Sequence, residues 1–241
     1  MKVSEIFYSI QGEGKRSGVP SFFIRTNNCN LRCKFSGNNL CDTPYTSWTP
    51  EDEKNIGDMS VDDIISEYKK SNARDAVITG GEPTLQSEEL ERLCKELKGL
   101  DAYITLETNG TVYGEFINHI DLLSISPKLL TSTPFDTKYE KMHTQRRINL
   151  EVLKKFNEMN SEGRFDIQWK FVYCNEKDIK EILEIINQTG IPNDKIYLMP
   201  EGISDNDIKL KRAETVEICK KYGFNYTDRL HVIIWGSKRG V

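Results

Sequence analysis

At 241 residues, with 37% hydrophobic and 29% charged residues, the chain is long enough for one large domain with a real core and has the composition of an ordinary soluble enzyme. Its formal net charge of −4 provides no broad basic surface, so no nucleic-acid partner held through phosphates is expected. No apolar run approaches a membrane span, the opening Met1-Lys2-Val3-Ser4-Glu5-Ile6 lacks the apolar stretch of a signal peptide, and a cytoplasmic, reducing location is expected. With no repeat, low-complexity tract or linker, residues 1–241 read as a single domain.

Along the chain, strand-like runs alternate with amphipathic segments. Residues 20–26 read as a strand running into a cysteine-rich loop. A helix is expected over 60–72, where a Ser60 cap and an acidic first turn of Asp62 and Asp63 suit a helix N-terminus. A short buried strand at 75–79 ends at Gly80-Gly81. Residues 86–98 form a helix with Leu90, Leu93, Cys94 and Leu97 on one face. Strands are expected next at 102–107 and 121–126, then at 167–173, 195–199 and 231–235, with helices near 145–160, 176–189 and 207–222. The polar stretch 131–144 reads as a lid or merely a loop. This alternation argues for parallel βαβ units, and about six or seven mainly parallel strands suit an incomplete (β/α) barrel. Ligands of such sheets sit at the carboxyl ends of strands. Thr79-Gly80-Gly81-Glu82, Glu107-Thr108-Asn109-Gly110, Ser126-Pro127-Lys128 and the cysteine loop all fall there.

Cys29, Cys33 and Cys41 are grouped too tightly for a disulfide to be the first reading. Three thiolates can hold three corners of a cubic iron–sulfur cluster, and the fourth iron stays open to an outside ligand. A closed zinc site of the same cysteines plus His231 is the non-enzymatic alternative. Cys94 and Cys219 have apolar helical neighbours and read as core; Cys174 reads as structural. Gly80-Gly81-Glu82-Pro83 suits a plain tight turn, or a close backbone approach to a ligand with Glu82 accepting from an ammonium group. His119 and His143 carry no motif and read as solvated or locally satisfied. Lys170, between Trp169 and Phe171, reads as a snorkelling side chain. Arg25, at a strand end beside the cysteines, suits a carboxylate ligand or a surface ion pair.

The cysteine loop followed by Gly-Gly-Glu-Pro and Glu-Thr-Asn-Gly resembles the radical S-adenosylmethionine superfamily. The second cysteine gap is seven residues rather than the usual two, and Ser36 stands where the third cysteine would fall. Either Ser36 is a substitution that removes the cluster, or residues 36–40 are an insertion and Cys41 is the third ligand. The insertion is the better reading, because the run Asp42-Thr43-Pro44-Tyr45 after Cys41 resembles the run that succeeds the third cysteine in one subfamily, 7-carboxy-7-deazaguanine synthase. The chain also resembles that subfamily in Glu5-Ile6-Phe7-Tyr8-Ser9-Ile10-Gln11-Gly12-Glu13-Gly14, in Phe23-Ile24-Arg25, in Ser126-Pro127-Lys128 and in the ending from Leu230-His231 to Gly240-Val241.

The resemblance implies a radical SAM type barrel carrying a 4Fe-4S cluster on Cys29, Cys33 and Cys41, with S-adenosyl-L-methionine on the open iron. Gly81 and Glu82 would hold its amino group and Glu107 would approach its ribose. Leu40, Cys41, Asp42, Ser126, Pro127 and Lys128 would contact the cofactor, and Met199, Pro200, Glu201 and Gly202 would close on its adenosine side, Met199 replacing a Gln of many members. Ile10, Gln11, Gly12, Thr79 and His231 would meet a pterin substrate and Arg25 its carboxylate. Thr43 would bind Mg2+. No protein residue is implied as catalytic, since the radical is generated on the cofactor. The implied reaction is a carbon–nitrogen lyase step of the queuosine and deazapurine pathway, from 6-carboxy-5,6,7,8-tetrahydropterin to 7-carboxy-7-deazaguanine with loss of ammonia. A homodimer and an external electron donor of flavodoxin or ferredoxin type are implied as well. The rival enzyme class is an activase that makes a glycyl radical on a partner protein, which would not need the Gln11-Gly12-Glu13-Gly14, Arg25 and Ser126-Pro127-Lys128 set.

Overall fold

Residue parity along the strands sorts the chain into two environments. Phe22, Ile24, Ala76, Ile78, Ile104, Leu106, Ile167, Trp169 and Phe171 belong to one buried apolar core. The residues between them, Phe23, Arg25, Thr79, Glu107, Ser124, Ser126, Lys170 and Val172, line a cavity. Alternation of this kind is what a strand shows when one face meets helices and the other a polar lumen. The computed structural model describes residues 1–236 and 238–241, with Ser36 by its backbone alone.

The strands are β1 (Lys2–Ile10), β2 (Pro20–Thr26), β3 (Gly57–Asp58), β4 (Asp75–Gly80), β5 (Tyr103–Thr108), β6 (Leu122–Ile125), β7 (Asp166–Tyr173), β8 (Ile196–Pro200) and β9 (Asn225–Tyr226). They form one sheet in the order β3-β1-β2-β4-β5-β6-β7-β8-β9. Pairing is parallel from β2 through β9, while β1 runs antiparallel to both β2 and β3. The curved sheet stays open, as expected of an incomplete barrel.

The helices are α1 (Val61–Lys70), α2 (Ser87–Lys98), α3 (Glu140–Arg146), α4 (Leu150–Ser161), α5 (Lys177–Thr189), α6 (Asp205–Tyr222) and α7 (Leu230–Trp235). The Ser60 hydroxyl accepts from the Asp63 amide at 3.1 Å and caps α1. Ser204 and Asp207 form a reciprocal capping box on α6. Leu90, Leu93, Cys94 and Leu97 of α2 are all 0% exposed. Among the described residues no helix is long and apolar enough to cross a membrane.

Two expectations change. Residues 231–235 form not a strand but the short helix α7. The β-branched run favours a strand locally, but the Leu230 amide is tied to the Gly12 carbonyl at 2.9 Å, and the Ile233 and Gly236 amides close helical turns on the Arg229 and Val232 carbonyls at 3.1 and 2.9 Å. The stretch 131–144 is neither a lid nor a plain loop: a 3-10 turn at Leu130–Ser132 and the start of α3 pack behind the cysteine loop.

The antiparallel β1 has a structural consequence. It returns the chain to the amino ends of the parallel strands, where the turn Gly14–Arg16 plugs the barrel floor. Arg16 pairs with Asp75 at the start of β4 and lies 4.2 Å over the Tyr103 ring at the start of β5. Lys15 pairs with Asp166 at the start of β7. Asp75 is 6% exposed, so losing its partner leaves a buried carboxylate uncompensated. Arg16→Ala should cost about 1–3 kcal/mol of stability. Lys15→Ala, at a more solvated pair, should cost under about 1 kcal/mol. Denaturant midpoints of the two variants check the order.

Candidate active site

The open end of the barrel holds a cavity of about 490 Å3 lined from the carboxyl ends of β2, β4 to β8 and the cysteine loop. The loop after β2 brings all three cysteines onto its wall. Residues 34–40 form a small hairpin: Lys34 bridges Leu40, and the Phe35 amide donates to the Asn39 carbonyl at 2.7 Å. Gly37 and Asn38 turn it with φ of 68° and 64°. The hairpin carries Cys41 back beside Cys33, whose carbonyl accepts from the Cys41 amide at 3.1 Å. The seven-residue gap is thus absorbed as an excursion that leaves the three sulfurs facing one space. The side chain of Ser36, the alternative third position, lies outside the described residues.

Burial pushes all three thiols up, Cys29 to about 12, and Lys128 opposes this at each. Buried sulfurs of this kind become thiolates only beside a strong cationic centre, which iron supplies. The Leu31 amide donates to the Cys29 Sγ at 3.4 Å, a contact suited to an electron-rich sulfur. The donor set fits a cluster with three protein ligands. Among the described residues no three His, Cys, Asp or Glu side chains gather about a single metal position, and His231, the fourth ligand of the zinc alternative, packs against Gly12.

The loop is braced from behind by residues the sequence did not mark. The Arg32 amide donates to His143 Nδ1 at 3.3 Å, and His143 Nε2 meets the Ser132 hydroxyl at 3.1 Å. The Lys34 amide donates to the Ser132 carbonyl at 2.9 Å. His143 is satisfied locally, as expected, but is 0% exposed rather than solvated. Burial, with Arg147 and Lys128 nearby, lowers its pKa to about 4, so it stays neutral and able to accept. Trp48 Nε1 donates to the Cys33 carbonyl at 3.1 Å and its ring stands edge-on to Tyr139.

Gly81 lies where the turn after β4 presses on the cysteine loop. Its amide donates to the Thr26 carbonyl at 3.1 Å, and a Cβ there would fall 2.0 Å from the Asn28 carbonyl oxygen. Glu82, the next residue, is placed apart from the lining. Its carboxylate is 0% exposed and does not line the cavity. It accepts from Thr84 Oγ1 at 2.6 Å, Thr108 Oγ1 at 2.7 Å and the Asn109 amide at 2.7 Å, stitching the turn after β4 to the turn after β5. Pro127 is likewise buried outside the lining. Every other residue expected at the site borders the cavity.

Among the lining residues, Arg25 Nε donates to Glu5 Oε1 at 2.6 Å, and Glu5 also accepts from the Tyr45 hydroxyl at 2.7 Å and Arg239 Nε at 3.2 Å. The two terminal nitrogens of Arg25 have no partner among the described residues and border the cavity, a fork open to a carboxylate. Glu107 accepts from Gln11 Nε2 at 3.1 Å and Thr79 Oγ1 at 2.9 Å. Glu107 therefore sits among the residues expected for substrate. His231 packs so closely on Gly12 that a Cβ there would lie 2.0 Å from Nδ1.

Three further charged groups escaped the sequence reading. Lys170 does not snorkel: it lies inside the lumen, paired with Glu13. Arg229 donates from Nε to Glu13 Oε1 at 3.0 Å, from one terminal nitrogen to the Gly202 carbonyl at 2.8 Å, and from the other to Asp42. Burial alone would raise the Glu13 carboxyl, but Lys170 and Arg229 outweigh it and hold it well below the usual carboxylate range. Glu13 and Arg229 fall within or beside runs that carry the family likeness, but their pairing spans most of the chain.

On the cofactor side, Lys128 Nζ donates to the Ser126 hydroxyl at 2.8 Å. Asn39 of the hairpin donates to Glu201 at 2.9 Å, and Lys211 donates to the same carboxylate at 2.6 Å. Thr43 occupies an N-cap position but makes no capping bond; its hydroxyl lies 3.5 Å from the Cys41 sulfur.

The sequence profile of the Radical SAM superfamily matches residues 23–212. A 7-carboxy-7-deazaguanine synthase from Halobacterium salinarum is 38% identical over 98% of this chain and 91% of its own length. One from Rhodopirellula baltica is 38% identical over 99% of this chain and 88% of its own. Among solved structures, QueE from Escherichia coli superposes with a TM-score of 0.65 over 95% of this chain and 93% of that one, at 23% identity, a likeness of fold. The cysteine hairpin on the rim of an open barrel therefore has its explanation in descent: the chain belongs to the 7-carboxy-7-deazaguanine synthase family of the radical SAM superfamily.

Proposed function

We propose that this chain converts 6-carboxy-5,6,7,8-tetrahydropterin into 7-carboxy-7-deazaguanine and ammonia. The observation that carries this reading is that three thiols and an Arg25 fork, two of whose donors are unpartnered among the described residues, border one cavity. Cys29, Cys33 and Cys41 would hold a 4Fe-4S cluster. S-adenosylmethionine on that cluster, when reduced, supplies the radical chemistry that opens the ring contraction. Lys128 and Ser126, the Gly81 backbone, Leu40 and Asp42, and the Met199–Gly202 turn are the groups available to hold and orient that cofactor. Glu82 acts by fixing the turn that presents Gly81.

Arg25 would take the substrate carboxylate through two parallel hydrogen bonds. Glu107, oriented by Gln11 and Thr79, suits the amino-substituted ring edge, which is rich in N–H donors. Ile10, Gly12 and His231 close the floor and keep water out. Thr43 is the candidate protein ligand for Mg2+, whose remaining oxygens would come from substrate and water. All six cysteines are free thiols, which suits a cytoplasmic setting. An electron donor of flavodoxin or ferredoxin type and a homodimeric assembly complete the proposal.

Three measurements test it. Cys41→Ala should lose the cluster's iron, because two thiolates cannot hold it, whereas Ser36→Ala should keep iron near the wild-type content; the reverse pattern would overturn the insertion. Arg25→Ala should weaken substrate binding by about 2–5 kcal/mol while iron and cofactor binding persist. Arg25→Lys should rescue only part of this, and unchanged affinity in Arg25→Ala would place the carboxylate elsewhere. Adding Mg2+ to chelator-treated protein should raise turnover, with Thr43→Val blunting the response. Turnover indifferent to Mg2+ would leave Thr43 as a turn residue against Cys41.

A further inference from the structure

Lys170 is a charged group in the lumen to which the proposed reaction has so far assigned no task. It stands on β7 with lumen parity, between the core residues Trp169 and Phe171, and is 6% exposed. Burying an ammonium is costly, and the cost is tolerated only when partners are fixed in place. Glu13 is that partner, and Glu13 is itself pinned by Arg229. Glu107 is a further anion acting on Lys170; burial would lower the lysine, but the two carboxylates outweigh it and keep it charged.

Glu13 accepts only one of the three ammonium N–H groups. The other two have no partner among the described residues, and Lys170 borders the cavity. Lys170 can only donate, and Glu107 can only accept. Lys170 on β7 and Glu107 on β5 border the same cavity with only β6 between their strands, and a donor-only and an acceptor-only group so placed match a ring edge on which a carbonyl oxygen stands next to an N–H. In a 2-amino-4-oxo pyrimidine ring that edge is the 4-oxo group with its neighbouring ring N–H.

We propose that Lys170 is a specificity-determining residue that donates to the 4-oxo oxygen of the heterocycle, with Glu13 as the positioning residue that aims it. This rests on the pterin reading of the same cavity. A ring with an amino group at that position would set donor against donor, leaving a buried ammonium unpaired. Sites with buried polar groups discriminate most strongly when the wrong ligand strands one of them.

The experiment is anaerobic calorimetric titration of the cluster- and cofactor-loaded protein with 6-carboxytetrahydropterin and with its 2,4-diamino counterpart. Wild type should prefer the 4-oxo ligand by roughly tenfold or more. Lys170→Gln, whose amide can both donate and accept, should bring the two affinities to within about a factor of three by gaining on the diamino ligand and losing on the 4-oxo one. Lys170→Arg, still donor-only, should retain the preference. Iron content and melting temperature of each variant are read alongside. Equal affinities in wild type would overturn the proposal, and so would a Lys170→Gln variant that weakens both ligands by the same factor, the mark of a merely structural lysine. If Lys170→Gln does not fold, Glu13→Gln decides: loosening the ammonium should lower affinity for the 4-oxo ligand while leaving the diamino ligand unchanged, and a parallel loss of both would refute the assignment. Wild type that binds neither ligand would overturn the pterin reading and this inference with it, whereas 4-oxo binding with an unaltered preference in Lys170→Gln would overturn this inference alone.

Discussion

An incomplete barrel has two unpaired edges, and one guanidinium spans the gap between them. Arg229 reaches Glu13 in the connection from β1 to β2, the Gly202 carbonyl just past β8, and Asp42 beside the third cysteine. The first anchor lies at one end of the sheet order, the second near the other, and the third on the rim loop. With the Arg229 and Glu13 side chains 8% and 11% exposed, that pair is largely desolvated, and breaking it costs about 3–5 kcal/mol because it strands the surviving charge; Asp42 is half exposed and its pair is worth less. Arginine suits this post better than lysine: its planar fork serves three directions at once and stays charged. The floor loop, the β8 turn and the cysteine hairpin are therefore held in register by one side chain, and the cavity they enclose keeps its shape without a closed ring of strands.

That arrangement explains what the sequence could and could not reveal. Helix α2 was legible because Leu90, Leu93, Cys94 and Leu97 repeat at helical spacing and all pack into one core. The convergence of Thr79, Glu107, Ser126 and the cysteines was legible because strand ends in parallel sheets share a face. The Asp42-Thr43-Pro44-Tyr45 run singled out Cys41, which borders the cavity with Cys29 and Cys33. By contrast, the helix at Leu230–Trp235 was read as a strand, since Val232, Ile233 and Ile234 favour one locally; its fate is set by Arg229 and by the bond from the Leu230 amide to Gly12. Lys170 and Glu13 lie 157 positions apart, and no local pattern announces an ion pair across that distance. The bonds that Glu82 makes were hidden for a related reason. A glutamate after two glycines reads as a ligand group, but the hydroxyls of Thr84 and Thr108 and the Asn109 amide that occupy it come from its own turn and the next one.

The second support of the site lies outside the barrel. The segment after β6 holds the cysteine loop through Ser132 and His143, and the Trp48 ring bonds the Cys33 carbonyl from the other flank. These contacts go to the backbone of the loop and leave the sulfurs free. A cluster ligand must hold its position while the charge of the metal centre changes, and second partners that grip the backbone supply that rigidity without competing for the thiolates. His143 can do this because burial keeps it neutral. A protonated imidazole would meet the Arg32 amide with a donor on Nδ1 and lose the bond.

Two cations within the lumen share one arrangement. Each is held by an anion that leaves part of its hydrogen-bonding capacity open: Arg25 by Glu5, with two nitrogens unpartnered among the described residues, and Lys170 by Glu13, with two N–H groups likewise unpartnered. Glu107 is held by neutral donors, Gln11 and Thr79, and keeps acceptor capacity. A buried charge with no partner would shift its protonation state or distort the fold, while one fully satisfied could bind nothing. Partial satisfaction avoids both outcomes and fixes direction as well as charge. Donors and acceptors aimed in advance need little rearrangement when a ligand arrives, and their strength is greatest where water is excluded. The floor plug at Gly14–Arg16 and the Arg229 bridge serve that exclusion, so the stability of the open barrel and the selectivity of its cavity rest on overlapping residues.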